Sequence, residues 1–133
     1  MMRIPRGPVW AVALLLVLSA LACDVNVSTA RLDNVKLYQD PNRQTKTTSY
    51  APGDTFYCIL DLKNAPEDTK VKAVWSAVDA SGDTQIGEYE LTNGSGVLTF
   101  QVTPPEGGWA KGNYKVVLSL NGKKKNTITF KVK

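Results

Sequence analysis

The sequence predicts an all-β domain of seven strands behind a cleavable N-terminal export segment. Three observations predict it. From Arg31 onward, apolar and polar residues alternate with the period of two expected of a half-buried strand. Clusters of Gly, Pro, Asn, Asp and Ser recur at intervals of about ten residues, and no window sustains a helical period. Ahead of this body, Arg3 and Arg6 precede an apolar run from Val9 to Leu18, and then Ser19-Ala20-Leu21-Ala22 leads to Cys23. A basic start, a short apolar stretch and small residues before a cut are the order of an export signal.

The apolar stretch from Val9 to Ala22 is 14 residues. A membrane-spanning helix needs about 20, so cleavage is the stronger reading and a permanent span the weaker one. Three segments follow: 1–22 as signal peptide, 23–30 as modified N-terminus and polar tether, and 31–133 as the folded domain. The 133 residues less the first 22 leave 111, the size of one domain with one core.

The first strand is expected at Leu32–Tyr38. The second is expected at Thr55–Lys63, after the turn Ala51-Pro52-Gly53-Asp54, with Phe56, Cys58, Leu60 and Leu62 on one face. The third, Thr69–Val78, places Val71, Ala73, Trp75 and Ala77 together. The fourth, Thr84–Leu91, follows Ser81-Gly82-Asp83, and the fifth, Val97–Thr103, follows Asn93-Gly94-Ser95-Gly96. Pro104-Pro105-Glu106-Gly107-Gly108 cannot continue a ladder, because proline lacks the donor, so it marks a long crossover. The sixth strand is Asn113–Leu120 and the seventh Lys125–Val132. Asn121-Gly122 between them suits a type I′ turn, in which both central residues take positive φ.

Two resemblances can be stated on these residues. Ala20-Leu21-Ala22-Cys23 resembles the lipobox of bacterial lipoproteins. That resemblance implies diacylglycerol on the Cys23 thiol, signal cleavage before it, and a fatty acyl group such as palmitate on the new amino group. Alanine at position 20 departs from the commoner leucine, and Ala20-x-Ala22 also fits an ordinary secretory site that would leave Cys23 a bare thiol. Asp24 resembles an inner-membrane retention signal, or simply begins the tether. The body resembles the immunoglobulin superfamily and fibronectin type III modules. Trp75 stands on the third strand, Cys58 on the second, and Gly112-Asn113-Tyr114-Lys115-Val116 matches the start of a sixth strand with a tyrosine corner. The implied fold is a Greek-key immunoglobulin-like β-sandwich. Val116 stands where antibody domains carry the second cysteine, so no bridge joins the sheets, and Cys58 is expected to be a buried, inert thiol.

Composition narrows the function. With no histidine among 133 residues, His-based triads, general bases and metal sites are excluded. The 16 basic side chains fall to 14 without Arg3 and Arg6, against 12 acidic ones, too mild a balance to favour nucleic acid. No cofactor or metal is expected. Asp79-Ala80-Ser81-Gly82-Asp83 is loosely like part of a calcium loop, but it is also an ordinary β-turn composition. Glu88 and Glu90 share one face of one strand, whereas glycosidase carboxylates must oppose each other across a substrate. Lys123, Lys124, Lys125, Lys131 and Lys133 make the last hairpin basic, suited to anionic headgroups or an acidic polymer, or to keeping an edge soluble. Trp109 in the crossover either presents a ligand platform or caps the sandwich, and Tyr57 and Tyr89 are expected to point outward as further contact residues. The expectation is a non-catalytic binding or adhesion module on the extracytoplasmic face, held to a membrane by lipid on Cys23, with an unknown protein or carbohydrate partner. A structural accessory subunit of an envelope complex is the alternative, and a carboxylate-dependent hydrolase a third reading.

Overall fold

Alternation in the sequence becomes two facing sheets in the computed structural model, which describes residues 29–133. The signal-peptide reading and Cys23 lie outside the described residues. The strands are β1 (Arg31–Tyr38), β2 (Ser49–Tyr50), β3 (Phe56–Lys63), β4 (Thr69–Asp79), β5 (Gly82–Asn93), β6 (Gly96–Val102), β7 (Gly112–Leu120) and β8 (Lys123–Val132), with no helix among the described residues. One sheet has the order β1-β3-β6, and the other β2-β8-β7-β4-β5. Every pairing is antiparallel except β2 with β8.

The seven expected strands are all present, and β2 is an addition to them. Only Ser49 and Tyr50 pair, with Lys131 and Val132, and two residues are too short to display a period. Tyr50 nevertheless is buried and donates its hydroxyl to the Tyr38 carbonyl at 2.8 Å. The fourth expected strand is longer than its alternation suggests. Pairing of Asp79 with Gly82 carries the β4–β5 hairpin right to a two-residue loop.

The facing sides of the two sheets form the core, and Tyr38 and Ile59 are buried as well on the outer side of the three-stranded sheet. Phe56, Cys58, Leu60 and Leu62 of β3 meet Val71, Ala73 and Trp75 of β4 and Val116 and Leu118 of β7, all at most 1 % exposed. At about 1.5–3 kcal/mol per fully buried large apolar side chain, this two-layer core is the main support of the fold. Cys58 is fully buried and free, and burial pushes its thiol up to about 12.

The core is not uniform along its length. At one end six aromatic rings come together with Phe56 at the centre. Its ring lies 4.4 Å from Trp109, 4.8 Å from Tyr50 and Phe130, 5.6 Å from Tyr114 and 5.9 Å from Trp75. Tyr114 donates to the Ala110 carbonyl at 2.5 Å, the backward bond of a tyrosine corner. Asn121 and Gly122 both have positive φ, 48° and 86°, as the type I′ turn requires.

Candidate functional site

Trp109 belongs to the core. It is 8 % exposed, stacks on Phe56 at an interplanar angle of 13°, and donates Nε1–H to the Asp54 carbonyl at 2.7 Å. Its backbone N–H donates to the Pro52 carbonyl at 2.8 Å. Gly108 permits that approach: at φ +85°, a Cβ there would sit 2.9 Å from the Pro52 oxygen. Of the two readings of Trp109, its placement is that of the cap, buried against the core rather than displayed on the loop.

Tyr57 lies on the outer face of the three-stranded sheet, half-buried, with Tyr38 and Gln101 as cross-strand neighbours. Tyr89 is corrected. It pairs with Ala73, whose side chain is fully buried, and so shares the inner face of the five-stranded sheet rather than the outer one. A bulge explains the error. Trp75 pairs with Gly87 but Ser76 with Gln85, so Ile86 is an extra residue that reverses the alternation along β5. Tyr89 is still 44 % exposed and Leu91 37 %, because the inner face of this edge strand is thinly covered. The Tyr89 ring lies over the backbone of Gly87, where a Cβ would meet its Cε2 at 2.9 Å. Trp109, Tyr57 and Tyr89 therefore stand on three different surfaces and do not form one site.

The acidic residues are likewise dispersed. Asp79 Oδ1 accepts from the Ser81 backbone N–H at 2.8 Å and the Ser81 hydroxyl at 2.6 Å, and the hydroxyl bond leads in holding its carboxyl below the usual range. This is turn chemistry. Asp83 pairs with Lys115. Glu88 and Glu90 point outward beside Val74 and Lys72. No group of three or more His, Cys, Asp or Glu side chains converges among the described residues.

Elsewhere, Asp61 accepts from Asn34 Nδ2 at 2.9 Å and Arg43 Nη2 at 2.7 Å. The bond from Asn34, then that from Arg43, holds its carboxyl below the usual carboxylate range. Asp40 gathers the backbone N–H groups of Asn42, Gln44 and Thr45 at 2.9–3.0 Å and shapes the loop that carries Arg43. These contacts pin the β1–β2 connection against the three-stranded sheet.

Both sheets have open edges among the described residues: β1 and β6 pair with no strand but β3, and the five-stranded sheet is open on both sides. β5 pairs only with β4, leaving its second side without a strand among the described residues. On the opposite edge, β2 covers β8 only at Lys131 and Val132, so the stretch from Lys123 to Thr129 also lacks a strand on that side. Beside this stretch is an open groove of about 360 Å³, whose apolar lining is Val35, Leu37 and Ile128. Sequence reasoning missed the groove, because it forms between β1 and β8, which are far apart in the chain. The charges of both strands were legible from the start.

No protein-family model matches the chain, and no curated protein matches it. Among solved structures, a β-glucosidase from Listeria innocua in complex with gluconolactone is similar at 14 % identity and a TM-score of 0.50, over 79 % of this chain. A second structure of a β-glucosidase from Listeria innocua is similar at 10 % identity, with a TM-score of 0.50 over 78 % of this chain. The chain spans 16 % of the length of these β-glucosidases. A CARDB domain from Pyrococcus furiosus, solved in complex with di-metal ions, is similar at 14 % identity and a TM-score of 0.45, over 81 % of this chain and 97 % of the domain. At such identities the likeness shows an all-β fold and nothing of activity.

Proposed function

We propose that this protein is a lipid-anchored, non-catalytic binding module on the extracytoplasmic face of a bacterial membrane, built as an immunoglobulin-like Greek-key sandwich. The observation that carries the reading is Ala20-Leu21-Ala22-Cys23 at the end of a basic-then-apolar leader. Diacylglycerol on the Cys23 thiol and an acyl chain on its amino group would supply two anchoring signals. A single acyl chain, at about 0.8 kcal/mol per buried methylene, binds only marginally and reversibly, whereas two hold stably. The Greek-key reading draws support from chain crossings between the sheets at β3–β4, β5–β6 and β6–β7, and from the tyrosine corner at Tyr114. The non-catalytic reading draws support from the dispersal of the carboxylates and from the absence of histidine. The alternative role, a structural subunit of an envelope complex, is favoured by one specific observation, the two open edges of the five-stranded sheet.

The test is the intact mass of the protein purified from detergent-solubilised membranes, beside Cys23→Ser. The expected result is a chain that begins at Cys23 and carries the added mass of acyl groups, with the variant unprocessed. An unacylated chain in the soluble fraction would overturn the anchor.

A further inference from the structure

The two open edges of the five-stranded sheet carry opposite charge. Charged residues of β5 are Asp83, Glu88 and Glu90, all acidic. Those of β8 are Lys123, Lys124, Lys125 and Lys131, all basic. We infer that the chain assembles head to tail with copies of itself. In this assembly β5 of one copy adds to the open stretch of β8 in the next, and Tyr89 turns toward the groove lined by Val35, Leu37 and Ile128.

Strand direction fits. Going across the sheet, β8, β7, β4 and β5 are joined by antiparallel pairings, so β5 and β8 run in opposite senses. A copy displaced along the sheet therefore brings them together antiparallel, the pairing that is slightly more stable per residue. Backbone groups are available on the receiving side. The N–H of Lys131 points toward β2, where it donates to the Thr48 carbonyl at 3.0 Å. By the two-residue alternation of a strand, the groups of Thr127 and Thr129 point the same way and meet no strand among the described residues.

Side chains also fit, face by face. A continuous sheet must keep outer residues beside outer residues. Glu88 and Glu90 are outer, opposite Val74 and Lys72, and Lys124 is outer, opposite Ser119. In an antiparallel register Glu90 faces Lys124 on the solvent face and Glu88 faces Thr127, with the bulged Lys125 beside them. On the inner face, Tyr89 and Leu91 are exposed apolar groups without cover, and the groove with Ile128 is an apolar recess beside the receiving strand. Pairing β5 with β5 would set Glu against Glu, and β8 with β8 would set Lys against Lys, both destabilising across strands. Lysines on an edge ordinarily block strand addition. Here they block a second β8 and admit an acidic strand. Because the two patches differ, the contact is heterologous and repeats into a ring or an open row. This goes beyond the anchored-module reading and stands whether or not Cys23 carries lipid.

Sedimentation velocity of the full-length protein, purified in detergent, tests it with two charge-reversed variants, Glu88→Lys/Glu90→Lys and Lys124→Glu/Lys125→Glu. The wild type is expected to associate, with loss of the associated species on going from 0.15 M to 1 M salt, as the Debye length shrinks from about 8 Å to about 3 Å. Each variant alone is expected to be monomeric, and an equal mixture of the two to associate again, because each then meets the opposite charge. A wild type that stays monomeric, or variants that associate alone, would overturn the proposal. A second test covers the case in which a reversed variant fails to fold. One chain carries Glu90→Cys, the other a cysteine in place of Lys124, Lys125 or Thr127. With oxidised glutathione as the oxidant, mixed chains are expected to give a disulfide-linked dimer between β5 and β8, and its absence from all three mixtures would equally overturn it.

Discussion

The aromatic end of the core and the edges of the five-stranded sheet use the same kinds of residue for opposite purposes. Trp109 and Tyr89 are both aromatic residues near glycines. Trp109 is 8 % exposed, stacked on Phe56 and hydrogen-bonded at Nε1, whereas Tyr89 is 44 % exposed. The rings of the interior end pack on one another around Phe56. Among the described residues the edges of the five-stranded sheet have backbone groups that meet no strand, and they expose Glu88, Glu90 and Lys124 together with Tyr89 and Leu91. Buried aromatics in this protein report on the fold, and the proposed contact between copies belongs to the edges.

The largest expected effect comes from emptying the centre of the aromatic end. Phe56→Ala removes the ring that five others pack against and should cost about 3–5 kcal/mol of stability, read from the urea midpoint. A loss well under 1 kcal/mol would mean that the cluster is not the keystone claimed here.

A middle-sized effect concerns Cys58. Its folded-state thiol is raised from an ordinary 9.0 to about 12. Stability from the neutral, buried thiol is therefore fully present below pH 9 and is lost progressively as pH rises from about 9 toward 12, where only the unfolded thiol ionises. At pH 7 the native protein should resist a thiol reagent at this position and react only once unfolded. Rapid labelling of native protein at Cys58 would contradict its burial.

The smallest is Trp109→Phe, which keeps a ring against Phe56 but removes the Nε1 bond to Asp54. It should cost about 1 kcal/mol, seen as a lowered thermal midpoint, while self-association at the edges is unchanged. A loss of association with no loss of stability would make the Trp109 end a contact surface after all, and would erase the distinction between the two regions.

Legibility in the sequence followed the same division. The core-facing positions of β3, β4 and β7 recur every second residue, so Phe56, Cys58, Trp75 and Tyr114 were readable as core, although Ile59 and Ser76 are buried out of phase with them. Asn121-Gly122 was readable because few residues tolerate positive φ at both turn positions. Trp109 was ambiguous because its loop has no period, and only contact with Phe56 and Asp54 decides its role. Tyr89 was misplaced because the extra residue at Ile86 leaves no mark in composition. The groove beside β8 joins residues about ninety positions apart, and no local pattern announces such a meeting.

The most direct measurement is native-state hydrogen exchange of the full chain at low and high protein concentration. The account predicts that raising the concentration adds protection to amides of β5 and of the Lys123–Thr129 stretch in β8, and leaves the segment from Pro104 to Ala110 unchanged. Added protection confined to the Pro104–Ala110 segment, with both sheet edges unaffected, would contradict it.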